Sequence, residues 1–291
     1  MSDNLRIIST NLFDTATLTV SSTASGSTAV DNLKINKKGV VWRTATTTKA
    51  IILATISSDT IGGVILPYTN LTSIATMKIV GYTGSPSITG TVGAPTITGG
   101  SVVFDTGTVS CCPWTPAQPW GAESIPTGAN TYAYGGGQCA RVWIPENIQA
   151  AATKIAITIE DTSLTYIEAS RCIFGQYWSP TYNTSFGLGA GVKDTSSHAR
   201  TIAGDLDTIR GTRSESITFD LKYLDSSDRD QLYRIIRGNG LPKPLFVSLF
   251  PDDADYGKEQ IYQIYGKLSQ LDSLIHPVFE IYSSSVTIES I

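Results

Sequence analysis

Ala16-Thr17-Leu18-Thr19-Val20 places an apolar side chain at every second position, the period of a strand with one buried face. The same spacing returns at Ala50 to Ile56, Met77 to Val80 and Ile155 to Ile159. Thr60-Ile61-Gly62-Gly63 and Gly81-Tyr82-Thr83-Gly84-Ser85-Pro86 supply turn chemistry between such runs. Strands joined by connections of this kind suit a sandwich in which the chain hops between sheets, so residues 1–180 are expected to form a jelly roll. Within this half, the stretch from Cys111 to Tyr134 holds Pro113, Pro116, Pro119 and Pro126 among Trp114 and Trp120. Proline removes ladder donors, which predicts a long surface excursion there rather than a central strand.

The pattern changes further along. Residues 181–198 are small and polar, with Gly187-Leu188-Gly189-Ala190-Gly191, the composition of a flexible connector. Beyond it, Ile217-Thr218-Phe219-Asp220-Leu221 reads as a strand leading into a helix. Asp225, Ser226 and Ser227 offer capping oxygens, Asp228 and Asp230 place acids in the first turn, and Leu232, Ile235 and Ile236 recur at helical spacing. Gly238-Asn239-Gly240 followed by Pro242 marks its end. Strands are expected at Leu245 to Phe250, Gln260 to Leu268 and Val278 to Ile288. Residues 199–291 therefore predict a smaller β-rich α+β domain with one packed helix, and the fold class is mainly β.

Composition narrows the function. The chain has 291 residues, 41% apolar and 16% charged, with Ser, Thr and Gly filling the charge deficit. A formal net charge of -4 argues against wrapping a phosphate backbone, which needs clustered Lys and Arg. No apolar run approaches the roughly 20 residues of a spanning helix. Met1-Ser2-Asp3-Asn4-Leu5-Arg6 lacks a basic segment followed by an apolar core, so the product is expected to stay inside the producing cell at first. On that reading the sequons at Asn70 and Asn183 carry no meaning. Cys111, Cys112, Cys139 and Cys172 are too few for a disulfide scaffold and read as small buried hydrophobes.

Most catalytic constellations fail. The two histidines, His198 and His276, sit near no nucleophile motif, and neither a G-x-S-x-G elbow nor an H-E-x-x-H pair occurs. Gly135-Gly136-Gly137-Gln138-Cys139-Ala140 has the letters of a dinucleotide loop, but Arg141-Val142-Trp143-Ile144-Pro145 follows as a strand where that fold needs a helix. Asp252-Asp253-Ala254-Asp255-Tyr256-Gly257 misses the calcium-loop register and reads as a solvated hairpin loop. No catalysis, cofactor or metal is expected. Trp114, Trp120, Tyr132, Tyr134, Trp143, Tyr177, Trp178 and Tyr182 crowd the excursion and the end of the first domain. Exposed, they would stack on sugar faces; buried, Trp143 and Trp178 would plug the core or the junction between domains.

Asn11-Leu12-Phe13-Asp14, Thr17-Leu18-Thr19-Val20-Ser21-Ser22, Val30-Asp31-Asn32-Leu33 and Val41-Trp42-Arg43-Thr44 resemble the opening of discoidin-like jelly-roll domains in minor tail proteins of tailed bacteriophages. Tyr166-Ile167-Glu168-Ala169-Ser170-Arg171-Cys172-Ile173-Phe174-Gly175, with Tyr177-Trp178-Ser179-Pro180, is similar to their closing strand. Ala199-Arg200-Thr201-Ile202-Ala203-Gly204, Leu249-Phe250-Pro251-Asp252 and Ile264-Tyr265-Gly266-Lys267-Leu268 resemble phage tail and baseplate structural proteins. The resemblance implies a virion component near the tail tip, assembled in the host cytoplasm beside other tail or baseplate proteins and repeated as a homo-oligomer. Animal discoidin domains usually clip their ends with a disulfide, and no cysteine lies near Asn11, so no ligand-binding residue carries over. Fold transfers more readily than function. Assembly contacts are expected at Trp114, Trp120 and Tyr134 on the excursion and at Arg200 and Arg210 in the second domain. The alternative is an adhesion module that recognises host surface glycan through the aromatic excursion.

Overall fold

The computed structural model describes residues 4–26, 28–112, 132–133, 136–251, 253–270, 273–278 and 281–291. The alternating segments meet in one antiparallel sheet, in the order Thr17–Val20, Lys49–Asp59, Ala152–Glu160, Thr76–Thr83 and Ser101–Ser110. Ile52, Ile157 and Ile79 face one another across three neighbouring strands, and all three are fully buried. Each such side chain contributes about 1.5–3 kcal/mol of burial free energy. Opposite them lies a second sheet of Gln138–Trp143, Gly63–Thr69, Glu168–Ala169 and Trp42–Arg43, with Ile173–Gly175 also paired to Gly63–Thr69. Val64, Leu66, Ala140, Val142 and Phe174 point from it into the sandwich core. The fold is mainly β, with the expected sandwich.

A seven-stranded sheet forms the second unit, ordered Arg6–Ile8, Leu245–Ser248, Gln263–Leu268, Ile281–Ser290, Arg213–Leu224 and Gly189–Asp194, with Ile275–Val278 added beside Ile281–Ser290. Helix Ser226–Asn239 packs on it through Leu232 and Ile235. Its ends are those the sequence announces. Asp225 accepts from the Asp228 amide at 2.8 Å, and Gly240 stops the helix at φ +54°, a conformation that favours glycine.

Three expectations are corrected. The unit taken as residues 199–291 also includes Arg6–Ile8, whose ladder to Leu245–Ser248 and bridge between Ile7 and Trp178 occupy both of its edges. The sandwich is thus inserted in sequence between Arg6–Ile8 and Gly189–Asp194, which lie at opposite ends of the sheet order, with the Trp178 bridge returning the chain beside Ile7, and a boundary at residue 180 does not separate two consecutive halves. The segment 181–198 is not all connector. Gly189–Asp194 pairs with Arg213–Leu224 residue for residue, because a long partner strand supplies ladder bonds to a segment of weak intrinsic propensity. Finally, the acidic stretch expected as a hairpin loop leads into a second, short helix, Tyr256–Ile261, whose Gly257 and Lys258 amides both donate to Asp255 at 3.1 Å. Asp252 lies outside the described residues.

The two units share a third cluster: Ile8, Ile65, Cys139, Ile173, Phe246 and Tyr265. Ile65, Cys139 and Ile173 come from the outer face of the second sandwich sheet, so its strands are buried on both sides. Arg141, on that same face, forks onto Glu259 of the short helix with two hydrogen bonds, and both side chains are 4% exposed. Burial opposes the charge on Arg141, but the bonds and charge of Glu259 outweigh it and raise its pKa. Arg171 donates to Asp14 (2.8 Å), to the Leu33 carbonyl (3.3 Å) and to the Tyr265 hydroxyl (3.0 Å), which itself donates to Asn36 at 2.6 Å. The Arg6 guanidinium lies 4.9 Å from the Trp143 ring centroid and 4.8 Å from that of Tyr177. Trp143 is therefore a plug at the junction, as one sequence reading had it. All four cysteines are buried and free.

Replacing Glu259 by Ala leaves a buried guanidinium without its carboxylate and should cost about 3–5 kcal/mol. The paired change Glu259→Leu with Arg141→Met should recover most of that loss. Urea unfolding measures both, and a single-variant loss within the error of wild type would show that the fork does not hold the units together.

Candidate functional site

Strand direction places the loops. Thr17–Val20 and Ala152–Glu160 run toward one end of the sandwich, while Lys49–Asp59 and Thr76–Thr83 run away from it. Loops 21–29, 44–48, 70–75 and 161–167 therefore gather at that end. The chain enters and leaves the sandwich at the opposite end, where Gly175 carbonyl accepts from the Gly62 amide at 2.9 Å.

A cleft of about 400 Å³ opens among these loops, lined by Ser25, Thr28, Arg43, Thr46, Thr165 and Tyr166, among others. Alternation positions the two large residues. Trp42 and Ile167 are fully buried in the core, so their neighbours Arg43 and Tyr166 face outward on adjoining segments. The Arg43 guanidinium carbon lies 3.5 Å from the Tyr166 ring centroid, a stacked contact worth about 0.5–2 kcal/mol. Arg43 has no hydrogen-bond or ion-pair partner for its guanidinium among the described residues.

The walls are fixed by their own bonds. Thr44 and Ile167 exchange two bonds of 2.9 Å, from the Thr44 amide to the Ile167 carbonyl and from the Ile167 amide to Thr44 Oγ1. Asn70 donates to the Tyr166 carbonyl at 2.9 Å and accepts from the Glu168 amide at 2.8 Å, bracketing the aromatic residue. Asp161 anchors the start of the 161–167 loop by accepting from the Thr72 amide and hydroxyl, both 2.8 Å, and from the Ser163 amide and hydroxyl at 3.0 and 2.7 Å. Burial pushes its carboxyl up, but these four bonds outweigh it and hold its pKa below the usual value. A cleft held this way keeps its shape before any ligand arrives.

The residues singled out in the sequence lie elsewhere. Trp114, Trp120 and Tyr134 lie outside the described residues. Arg200 and Arg210 are exposed on a hairpin arm, Ser197–Arg200 paired with Leu206–Ile209, where Arg200 donates to the Gly204 carbonyl at 2.9 Å. His198 sits on the same arm, 2.9 Å from the Thr208 hydroxyl, and His276 stacks on Tyr282 with centroids 4.5 Å apart. Asp253 accepts from Lys258 at 2.8 Å, which lowers its pKa, while Asp255 caps a helix. Among the described residues, no three His, Cys, Asp or Glu side chains gather as a metal site. Burial pushes the Cys139 thiol up to about 12 and raises that of Cys172. No described helix is long and apolar enough to cross a membrane. A larger cavity, about 590 Å³, lies at the junction beside Arg171 and Tyr265, but those two groups are already bonded within the protein. Arg43 and Tyr166 stand inside the longer motifs Val41-Trp42-Arg43-Thr44 and Tyr166 to Gly175. The outward positions in Trp42-Arg43 and Tyr166-Ile167 were the available signal.

No protein-family model and no curated protein matches the chain. Solved structures similar to it include chitosan-binding module 1 of a chitosanase/glucanase from Paenibacillus sp. IK-5, with 16% identity, 57% of this chain and 98% of that one covered, and a TM-score of 0.37. The family 32 carbohydrate-binding module of NanJ from C. perfringens, solved with galactose, shows 9% identity over 57% of this chain and 98% of its own, with a TM-score of 0.34. A GH29 fucosidase from Ruminococcus gnavus shows 13% identity, with 58% of this chain and 27% of that one covered, and a TM-score of 0.36.

The depressed Asp161 pKa fixes a sign. Its contribution is present above the ordinary carboxylate value, about 3.9, and is lost as pH falls through the lower folded value. Asp161→Asn should therefore lower the melting temperature at neutral pH and narrow the gap to wild type in strong acid. A gap that stays constant with pH would remove the anchoring role.

Proposed function

We propose that the chain is a non-enzymatic carbohydrate-binding subunit that holds a sugar at the loop end of its sandwich. One observation carries this reading: Arg43 stacked on Tyr166 in a fixed cleft rimmed by Ser and Thr hydroxyls. Sugars present hydroxyls around an edge and apolar C–H faces above and below. A planar fork with several N–H donors, neighbouring hydroxyls and an aromatic body match those two surfaces. Aromatic residues of the excursion are not needed for it. Glycan-array screening followed by calorimetry on the best ligand tests the reading. Tyr166→Ala should weaken binding by about tenfold or more, with the melting temperature close to wild type, and Tyr166→Phe should retain it. A wild-type chain that binds no glycan, or Tyr166→Ala binding as tightly as wild type, would sink it.

A second reading, compatible with the first, is a structural subunit of a bacteriophage tail tip or baseplate, and the arm favours it. Ser197–Arg200 and Leu206–Ile209 are exposed throughout, and Ile202, Leu206 and Ile209 present apolar side chains to solvent. An isolated two-stranded hairpin is marginal in water, and a neighbouring subunit would supply the missing burial. Virion membership, host-cytoplasm assembly and homo-oligomers belong to this reading. Replacing residues 197–209 by Gly-Gly should turn an oligomer into a monomer in sedimentation while leaving the fold intact. A wild-type chain that stays monomeric and is absent from particles counts against it.

A further inference from the structure

We infer that the cleft selects an anionic saccharide, one bearing a carboxylate or a sulfate ester, over its neutral counterpart. The inference rests on the carbohydrate reading and names the ligand class of the same site.

Among the described residues Arg43 is the only charged one lining the cleft, and none of them is acidic; the walls include Ser25, Thr28, Thr46, Thr165 and Tyr166. The nearest acid by register is Glu168, directly across the ladder from Arg43. Its side chain is buried and accepts from the Tyr132 hydroxyl at 2.9 Å, and it makes no ion pair with Arg43. Two buried guanidinium groups of this chain are matched by carboxylates, Arg141 by Glu259 and Arg171 by Asp14. Arg43 has the stacking platform and lacks the counter-charge.

That difference decides the ligand. A neutral sugar seated in the cleft would cover the guanidinium and offer only hydroxyl acceptors, leaving its charge uncompensated as water leaves. A carboxylate or sulfate presents two oxygens in the plane of the fork, the geometry that guanidinium binds in bidentate fashion. Thr28 is not free to compete for the anion, since its hydroxyl already donates to the Ala24 carbonyl at 2.9 Å. Its lone pairs remain available to sugar hydroxyls.

Calorimetry on the full chain, with galacturonate trisaccharide, the matching neutral galactose trisaccharide, a sulfated galactose trisaccharide and inorganic sulfate, tests this. At least one charged trisaccharide should bind about tenfold or more tighter than the neutral one, with affinity falling as salt rises. Arg43→Gln should erase that preference and Arg43→Lys should keep part of it. Which charged sugar binds tells carboxylate from sulfate ester. Neutral sugar binding as tightly, without salt dependence and unaffected by Arg43→Gln, overturns the anionic preference and leaves the carbohydrate reading standing. Inorganic sulfate binding as tightly as the sugars overturns saccharide recognition. Failure of every sugar to bind takes down both readings. A melting temperature for Arg43→Gln near that of wild type assigns its effect to the cleft.

Discussion

The strand Arg6–Ile8 is the constraint on which the arrangement depends. Three residues are held by Leu245–Ser248 on one side and by paired bonds of 2.8 and 2.9 Å between Ile7 and Trp178 on the other. They tie the beginning of the chain into a sheet whose other strands lie beyond the sandwich. Both crossings into the sandwich therefore leave from neighbouring positions, and two short tethers replace one swinging linker. The buried Arg141–Glu259 fork and the Arg171, Tyr265 and Asn36 chain then fix the angle between the units. A buried ion pair is a weak source of net stability but a strong penalty on any geometry that separates its members.

This rigidity bears on the cleft. Its walls come from residues far apart in sequence, Ala24, Ser25 and Thr28, then 43–46, then Thr165 and Tyr166. Pairing of Arg43 with Glu168, the Thr44 and Ile167 exchange, and the Asn70 and Asp161 side chains bring them together. On the proposed carbohydrate reading, little entropy would remain to be lost on binding. The second unit presses against the outer face of the second sandwich sheet through Ile65, Cys139 and Ile173.

Sequence legibility followed burial geometry. The sheet of Thr17–Val20, Lys49–Asp59, Thr76–Thr83 and Ala152–Glu160 was readable because alternation survives wherever inward and outward residues differ in polarity. The helix Ser226–Asn239 was readable from its cap and its stop. Arg6–Ile8 was not, since three residues buried on every side leave no period to detect. Gly189–Asp194 was hidden by its small residues, and its ladder is tertiary in origin. Glu259 carries no local signal in the sequence, and only the fold brings it opposite Arg141. For the cleft, the aromatic residues that drew notice were the abundant ones in and after the excursion. Arg43 and Tyr166 sit in two segments separated by more than a hundred residues, and nothing local ties them together.

Insertion of the sandwich between Ile7 and Trp178, which bridge each other, has one more implication. Residues from Ser9 to Tyr177 begin and end within touching distance of the same ladder, as the Ile7 and Trp178 bridge shows. Changes of length or sequence within the insert's loops need not disturb the register of the sheet, because the two ends of the insert are fixed to each other through Ile7 and Trp178.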